Sequence, residues 1–461
     1  MRGPSEGIAR ALDRATGARP IPGNSLVHHP DSPRALEEML ALIAGATRWI
    51  HFENYIIRGD HTGRRFAAAL GERAAAGVRV RVLYDALGSA GTRWSYWHGL
   101  RRAGADVRAF NPLLSGRPLR LLRRDHRKLV VADGGRAMVG GLCIGDEWAG
   151  DPRRHRQPWR DTMLEVCGPA AAALDGTFAR VWRRAGPPLP ADELDTSPAE
   201  CGGASLRVVE GVPARSRVWR AVQLLAASAR ERLWITDAYL VAPTPLFAAL
   251  VDAARDGVDV RLLLPGTSDL PVLRTMTRVG YRDLLNAGVR IFEWDGPMLH
   301  AKTLVVDREF VRIGSSNLNV SSLVENYELD VIAEHGEAAT ALAEQFRRDH
   351  AGATEVVLAA RRLRLPPRLV DAPAPVPAAP RLHKRSGREL RQTAVRTLGQ
   401  VAGGLRRRLA ATTTLVTLLI GVLLVIFPRV MSITFAAGAF VAATAFGWYT
   451  VASRPGGDDV P

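Results

Sequence analysis

The chain has 461 residues, 47% of them hydrophobic and 23% charged, so it can bury two globular cores and is not wholly disordered. Its 62 basic residues exceed its 46 acidic ones, and the net charge of +16 predicts an anionic partner, either nucleic acid or membrane surface. The three scattered cysteines (Cys143, Cys167 and Cys201) are too few for a disulfide framework or zinc site and favour a reducing, cytosolic setting.

Helical and strand patterns alternate after a polar N-terminus. Residues 1–23 contain arginines but no apolar run, which predicts a flexible leader without a signal peptide. Residues 34–46 and 63–76 have helical spacing, whereas residues 49–57 and 78–84 are strand-like. This alternation predicts an α/β sheet with helices on its faces.

The same segments occur a second time in the same order. The stretch from Trp49 to Tyr55 resembles that from Trp234 to Tyr239, and residues 76–83 resemble residues 256–263. Several resemblances at a nearly constant offset indicate a duplicated domain, whereas generic α/β similarity would explain only one of them. We predict a first domain at 24–185, a Pro- and Gly-rich linker at 186–203 and a second domain at 204–360.

Each copy contains one motif of the form H-x-K-x4-D. The residues that define the two motifs are His126, Lys128 and Asp133 in the first copy, and His300, Lys302 and Asp307 in the second. In a strand, a histidine and the lysine two residues later share a face. An imidazole can act as a nucleophile or proton carrier and an ammonium can bind phosphate oxygens, so the motif predicts phosphate-ester chemistry.

The lysines strengthen this interpretation. The sequence has three, and two of them (Lys128 and Lys302) occupy the same motif position, although almost every other cation is arginine. Lysine presents a compact charge where arginine presents a planar fork, so these positions indicate a requirement for lysine. A half-buried strand carrying polar residues by accident would explain one motif but not two aligned ones.

The C-terminal part predicts membrane attachment. We expect a stiff Pro-rich linker at 361–380, a basic amphipathic segment at 381–408 and a transmembrane helical hairpin at 409–453. Arginines at both ends of the hairpin predict that both face the cytoplasm. A solvated charged connector at 381–408 and a shallow re-entrant hairpin remain the alternatives.

The chain resembles the phospholipase D superfamily, and within it the bacterial cardiolipin synthases, over roughly residues 23–350. The residues that carry the resemblance are the two motifs, Gly140-Gly141, Trp148, Trp159-Arg-Asp161, Gly314-Ser-Ser-Asn317 and Asn326-Tyr-Glu328. The resemblance implies two similar α/β sandwich domains related by pseudo-twofold symmetry, with both motifs in one site. It also implies that no metal or organic cofactor is needed.

The resemblance further implies roles for the site residues. His126 would attack phosphorus and form a phosphohistidine, and His300 would act as acid and base, although the sequence alone does not order them. We expect Lys128 and Lys302 to bind phosphate with help from Ser315 and Asn317, and Asp161 and Glu328 to orient the imidazoles. Asp133 and Asp307 are candidate catalytic residues, with a structural role at a turn as the alternative.

The chain departs from the family pattern at two places. Cys143 stands where asparagine is usual, which predicts weaker phosphate binding in the first half. Asn319 and Ser321 stand where the cardiolipin synthase pattern has aspartate and arginine, which leaves the specific substrate open.

We therefore predict a phosphatidyltransferase that acts on phosphatidylglycerol or a related anionic phospholipid, at the cytoplasmic face of the inner membrane. A phospholipase D hydrolase is the alternative with the same catalytic residues. A superfamily nuclease is less favoured because few aromatic residues lie beside the basic clusters, so no nucleic-acid partner is expected. A non-catalytic scaffold, suggested by Cys143, is disfavoured because both His-Lys pairs are present.

Overall fold

The computed structural model of the protein describes residues 4–112, 123–194 and 198–358. Its strands are β1 (Ile21–His29), β2 (Trp49–Asn54), β3 (Arg79–Asp85), β4 (Asp106–Phe110), β5 (Lys128–Ala132), β6 (Arg136–Gly140), β7 (Met163–Cys167), β8 (Ala204–Gly211), β9 (Arg232–Thr236), β10 (Asp259–Pro265), β11 (Arg290–Trp294), β12 (Thr303–Val306), β13 (Phe310–Gly314), β14 (Glu328–Glu334) and β15 (Ala353–Val356). Its α-helices are α1 (Pro4–Thr16), α2 (Ser32–Ala44), α3 (His61–Ala75), α4 (Trp94–Arg102), α5 (Asp146–Ala149), α6 (Pro169–Ala185), α7 (Arg217–Ser228), α8 (Thr244–Arg255), α9 (Pro271–Val279), α10 (Tyr281–Asn286) and α11 (Gly336–Ala351).

The described strands form one continuous sheet whose order reveals the duplication. From its centre, the first half runs β1-β7-β6-β5-β2-β3-β4, and the second half runs β8-β14-β13-β12-β9-β10-β11. Each strand of the second half is the seventh strand after its counterpart, so both halves have one topology. Strands β1 and β8 pair antiparallel and join the halves. The predicted duplicated α/β architecture is confirmed.

The two halves share a hydrophobic core. Strand β5 is buried at every position, as expected for an apolar strand covered on both faces. One cluster of buried side chains includes Val131 and Phe178 of the first half together with Val305 and Phe346 of the second. Removing either half would therefore expose apolar surface of the other.

The strands within the two motifs, β5 and β12, end in equivalent turns. Asp133 and Asp307 adopt the left-handed conformation, with φ of 54° and 52°. The Asp133 carboxylate accepts backbone N–H hydrogen bonds from residues 47–49, and that of Asp307 accepts them from residues 230–232. Both carboxylates therefore hold the entry into the neighbouring strand, at the end of β5 or β12 far from the histidine. Their catalytic assignment is not supported, and their placement fits the structural alternative.

The predicted flexible leader at 1–23 is wrong for its described part. Residues 4–16 form α1, in which Leu12 is completely buried in the second-half core. Arg207 fixes the helix by donating to Asp13 and to the Ala9 carbonyl oxygen, at 3.0 Å and 3.1 Å. The polar composition concealed a narrow apolar face, which is enough to dock a short helix.

The predicted reducing setting, with too few cysteines for a disulfide framework, did not anticipate a disulfide. Cys167 at the end of β7 and Cys201 in the linker form one, with a Cα–Cα distance of 5.8 Å. Strand β1 explains their approach, because Ser25 pairs with Cys167 while Cys201 donates its backbone N–H to Gly23. The two cysteines are 34 residues apart in sequence, and they lie close together because both of their segments contact β1.

The predicted helices at 34–46 and 63–76 correspond to α2 and α3, and the predicted strands to β2 and β3. The predicted segments at 361–380, 381–408 and 409–453 lie outside the described residues. Within residues 4–112, 123–194 and 198–358, no helix combines the length and apolarity that crossing a bilayer requires.

Candidate active site

The two motif segments lie against the opposite halves of the molecule. The backbone N–H of His126 donates to Tyr327 O at 2.9 Å, and Tyr327 N–H donates to Arg124 O at 2.8 Å. In the equivalent place, His300 N–H donates to Arg160 O at 2.7 Å, and Arg160 N–H donates to Met298 O at 2.9 Å. These paired bridges bring the two motifs together at the junction of the halves.

Each imidazole is oriented by a carboxylate of the other half. His126 Nδ1 lies 3.0 Å from both carboxylate oxygens of Glu328, and His300 Nδ1 lies 2.6 Å from Asp161 Oδ2. The sequence predicted the orienting carboxylates, and the structure adds that the pairs cross. An Nδ1–H donated to carboxylate leaves the Nε2 lone pair of each ring free to attack phosphorus or accept a proton.

The surroundings favour the neutral form of both imidazoles. Burial lowers the pKa of His126, and although Glu328 opposes this, Lys128 and Lys302 lower it further. Burial and Lys302 lower the pKa of His300 to about 4, against the opposing effect of Asp161. Because lysines of both halves act on each ring, the two motifs form one electrostatic unit. A bound anionic phosphodiester would raise the pKa of both rings.

The carboxylates stay ionised despite complete burial. Burial alone would raise the pKa of Asp161, but His300 and Lys302 reverse the effect and lower it. Burial opposes ionisation of Glu328 as well, and His126 and Lys128 again lower the pKa. Each histidine therefore faces a full negative charge that can stabilise its imidazolium form during a reaction.

Both motif lysines are buried at this junction, where Lys128 is 0% and Lys302 1% exposed. Each ammonium donates to the carbonyl oxygen of its own histidine, His126 or His300. An ammonium has three donors, so the remaining ones can serve phosphate oxygens. Burial lowers the pKa of Lys302 to about 8, with Asp161 opposing this and Lys128 adding to it.

Aromatic side chains enclose the imidazoles, although no role for them was predicted from the sequence. Tyr55 packs edge-on against His126 with ring centroids 4.8 Å apart, and Tyr239 packs in the same way on His300 at 6.0 Å. Trp148 and Trp159 also lie against His300, at 5.5 Å and 5.9 Å. A signal for the tyrosines was available, because each follows the tryptophan that begins its repeated segment by five or six residues.

The two orienting carboxylates have different second donors. Trp148 Nε1 donates to Asp161 Oδ2 at 3.1 Å, whereas Ser315 Oγ donates to Glu328 Oε2 at 2.5 Å. The Ser315 hydroxyl has one proton to donate and directs it to Glu328, so the structure does not support the predicted phosphate-binding role of Ser315. Ser315 instead helps to position Glu328.

Gly141 occupies the position equivalent to Ser315 in the first half, where no side chain fits. A Cβ atom there would lie 2.3 Å from Asp161 Oδ1. The predicted glycine pair thus has a physical reason, since the Asp161 carboxylate must approach the backbone closely to reach His300.

Asn317 and Cys143 occupy equivalent positions after these residues. Asn317 is 4% exposed, and its Oδ1 has no hydrogen-bond partner among the described residues. Cys143 is 1% exposed, and burial raises the pKa of its thiol. The asparagine can offer an amide to a ligand, whereas the thiol is a weak donor. No group of three or more His, Cys, Asp or Glu side chains in the described ranges is arranged to hold a metal ion.

Comparisons with known proteins agree with this arrangement. The family model for the cardiolipin synthase, PLD-like domain, matches residues 39–147 and 223–350, which contain the two motifs. A cardiolipin synthase of Geobacillus kaustophilus is 34% identical over 319 residues, which cover 68% of this chain and 63% of that relative. A Staphylococcus aureus cardiolipin synthase is 32% identical over 346 residues, covering 73% of this chain and 69% of the relative.

The fold also resembles a solved structure. The crystal structure of phosphatidylserine synthase from Haemophilus influenzae aligns with a TM-score of 0.60 and 13% identity, over 76% of this chain and 92% of that one. At this identity the likeness concerns the fold. The chain spans less than two thirds of the Geobacillus relative, at 63% of its length.

Proposed function

Because the chain belongs to the cardiolipin synthase family of phospholipase D-like proteins, we propose that it is a phosphatidyltransferase that acts through a phosphohistidine. The crossed pairs His126–Glu328 and His300–Asp161 carry this proposal. Two imidazoles, each backed by an ionised carboxylate and accompanied by a lysine, are the groups that a two-step displacement at phosphorus requires, one as the nucleophile and one as the proton carrier.

In the first step, His126 Nε2 attacks the phosphorus of an anionic phospholipid and the bond from phosphorus to the headgroup alcohol breaks. His300, protonated once the phosphodiester is bound, gives its proton to the departing alkoxide oxygen. Lys128 and Lys302 bind the non-bridging oxygens, whose charge shifts during the attack. Preorganised donors of this kind lower a barrier by about 3 kcal/mol each.

In the second step, His300 accepts the proton of an incoming alcohol, whose oxygen attacks the phosphohistidine. The P–N bond to His126 breaks, and the phosphatidyl group passes to the new alcohol. With phosphatidylglycerol as both donor and acceptor, the products are cardiolipin and glycerol.

The burial of the site favours transfer over hydrolysis. His126 is 8% and His300 5% exposed, and aromatic rings cover part of both imidazoles. A site that admits little water lets a bound alcohol compete for the phosphohistidine. Hydrolysis by the same residues remains the second candidate, since water can replace the alcohol in the second step.

The test is incubation of the purified full chain with labelled phosphatidylglycerol in vesicles, with identification of the lipid products. We expect cardiolipin and free glycerol, with less cardiolipin when glycerol is added, because the second step is reversible. His126→Ala and His300→Ala should each abolish product, and His29→Ala, which alters a histidine outside the site, should retain it. Phosphatidic acid as the sole product would indicate a hydrolase, and loss in only one site variant would contradict a shared site.

The order of the histidines has its own test. In His300→Ala, His126 can still attack a donor whose leaving group needs no proton, such as a nitrophenyl phosphodiester. Label on this variant should therefore be lost when the reaction is quenched with acid and kept when it is quenched with alkali, because phosphohistidine is acid-labile and base-stable. Labelled His126→Ala protein would reverse the assignment.

We propose a membrane location because the substrates are phospholipids. The cytoplasmic face stays a prediction from the charges around 409–453. The Cys167–Cys201 disulfide counts against it, since stable disulfides are typical of oxidising compartments. Alkylation of the native membrane-bound protein decides between the faces, because a cytoplasmic location predicts two free thiols at these positions.

A further inference from the structure

Large apolar side chains are exposed mainly at one end of the strands. We call this end, at which β5 and β12 begin, the site edge. Single exposed apolar residues are normal on any protein surface. Among the described residues, however, six of nine large exposed hydrophobic side chains belong to segments that leave or enter this edge. They are Leu87, Trp94, Leu270, Met276, Val279 and Val320.

Most of these side chains lie on two segments at equivalent positions of the two halves. The first rim segment, residues 86–94, follows β3, and the second rim segment, residues 269–279, follows β10. Since β3 and β10 are counterparts in the sheet order, the duplication places the segments on opposite sides of one site. Trp94 is 70% exposed in the first and Val279 79% exposed in the second.

The first rim segment is fixed to the tyrosine that contacts His126. Ser89 Oγ donates to Tyr55 O at 3.1 Å. Gly88 packs so closely that a Cβ atom would lie 2.3 Å from the same oxygen. Tyr55 lies on the His126 ring, so the two residues that follow the exposed Leu87 contact the tyrosine that covers an imidazole.

The second rim segment is fixed to the tyrosine that contacts His300. Tyr239 donates its hydroxyl to Asp269 at 2.6 Å, and Leu273 packs against Tyr239 and Met298. Arg278 Nε donates to Glu293 at 2.8 Å, which ties the end of α9 to β11 near the site edge. The inner face of α9 thus contacts the site, while Met276 and Val279 are exposed.

Cationic side chains accompany these apolar ones. The hairpin at 151–158 connects α5 to Trp159 and exposes Arg153, Arg154 and Arg156. Its backbone is closed by hydrogen bonds between residues 151 and 156, at 2.8 Å and 2.9 Å. Arg153 and Arg156 form no ion pair with any described residue. A surface that combines exposed apolar side chains with unpaired cations matches an anionic bilayer, which offers hydrocarbon below negative headgroups.

We propose that the two rim segments and the 151–158 hairpin form a docking surface that inserts shallowly into an anionic phospholipid bilayer around the active site. This inference rests on the proposed function and names how the substrate reaches it. A lipid headgroup would pass between the rim segments to the imidazoles without leaving the membrane interface. The surface acts in addition to any attachment by residues beyond 358.

The test compares one substitution at two equally exposed valines in the full chain. Val279→Asp alters the docking surface, whereas Val357→Asp alters a valine that is 75% exposed at the opposite edge of the sheet, beyond β15. Turnover is measured with phosphatidylglycerol vesicles and with a monomeric, short-chain phosphatidylglycerol. We expect Val279→Asp to lower vesicle turnover about tenfold while short-chain turnover stays within about twofold, and Val357→Asp to change neither.

The outcomes separate the two proposals. Unchanged vesicle turnover in Val279→Asp would overturn the docking surface, as would an equal loss on both substrates. Product from neither substrate with the unsubstituted chain would overturn the proposed function instead. Val279→Lys should restore turnover on anionic vesicles but not on vesicles diluted with zwitterionic lipid.

A second measurement covers the first rim segment. Tryptophan emission of the full chain is quenched by brominated lipids, and the difference between the unsubstituted chain and Trp94→Phe isolates Trp94. We expect anionic vesicles that contain brominated lipid to quench the emission attributed to Trp94. Its absence would remove the first rim segment from the docking surface.

Discussion

The two halves of the molecule have one strand order but support their histidines differently. Glu328 presents both carboxylate oxygens to His126 and accepts a hydrogen bond from the Ser315 hydroxyl, whereas Asp161 presents one oxygen to His300 and accepts a hydrogen bond from the Trp148 indole N–H. The duplication thus supplies two similar imidazoles, and the differing neighbours allow them different tasks. A symmetric fold can in this way accommodate the unequal roles of nucleophile and proton carrier.

The largest expected effect comes from breaking the crossed pairs. Asp161→Asn and Glu328→Gln should each lower kcat by about 10³ to 10⁴, because an amide does not hold the Nδ1–H tautomer or stabilise imidazolium. The double variant should lose little more than either alone, since groups that act as a unit are not additive. Steady-state kinetics on folded variants gives the measurement, and a loss below tenfold in either would contradict the pairing.

A second comparison concerns the two lysines and pH. Lys302 carries its charge below a pKa of about 8, so phosphate binding should weaken as pH rises above this value. We expect kcat/KM to fall about tenfold per pH unit on the alkaline side. Lys302→Arg keeps its charge at these pH values, so whatever activity it retains should lack this fall.

Lys128→Arg is the matched control for that measurement. It retains Lys302 and should therefore keep the same alkaline fall. If the alkaline fall of kcat/KM persists in Lys302→Arg and disappears in Lys128→Arg, the titrating lysine is Lys128 and the prediction is contradicted.

A smaller effect is expected from the second donors. Trp148→Phe and Ser315→Ala should each slow turnover about tenfold, which is typical of residues that orient a functional side chain. Ser315→Ala should slow formation of the phosphohistidine, because it loosens Glu328 and thereby His126. Rapid-quench measurement of labelled protein tests this, and equal formation rates in Ser315→Ala and the unsubstituted chain would contradict it.

The smallest effect concerns the pair of Cys143 and Asn317. Cys143→Asn should leave activity equal or raise it up to about twofold, since it restores an amide at a buried position that now has a weak donor. Cys143→Ala serves as the control for volume. Activity in Cys143→Asn below that of Cys143→Ala would show that the thiol itself is required.

The repeated pattern in the sequence was enough to predict the duplicated sheet and the paired motifs, whereas the orienting carboxylates were expected from the family resemblance. It could not predict that Asp161 serves His300 rather than His126, because crossing depends on how the halves pack. The turn role of Asp133 and the Ser315 donation to Glu328 likewise depend on three-dimensional neighbours. The Cys167–Cys201 disulfide escaped because β1 lies between two segments that are distant in sequence.

The crossed pairs determine how the two halves would behave if they were produced as separate polypeptides. A polypeptide that ended in the linker would carry one imidazole without its carboxylate and one carboxylate without its imidazole. Each fragment would be inert alone, while coexpressed fragments that associate through β1 and β8 would recover both pairs at once. Loss of a paired histidine or carboxylate from one half therefore leaves its partner in the other half unpaired.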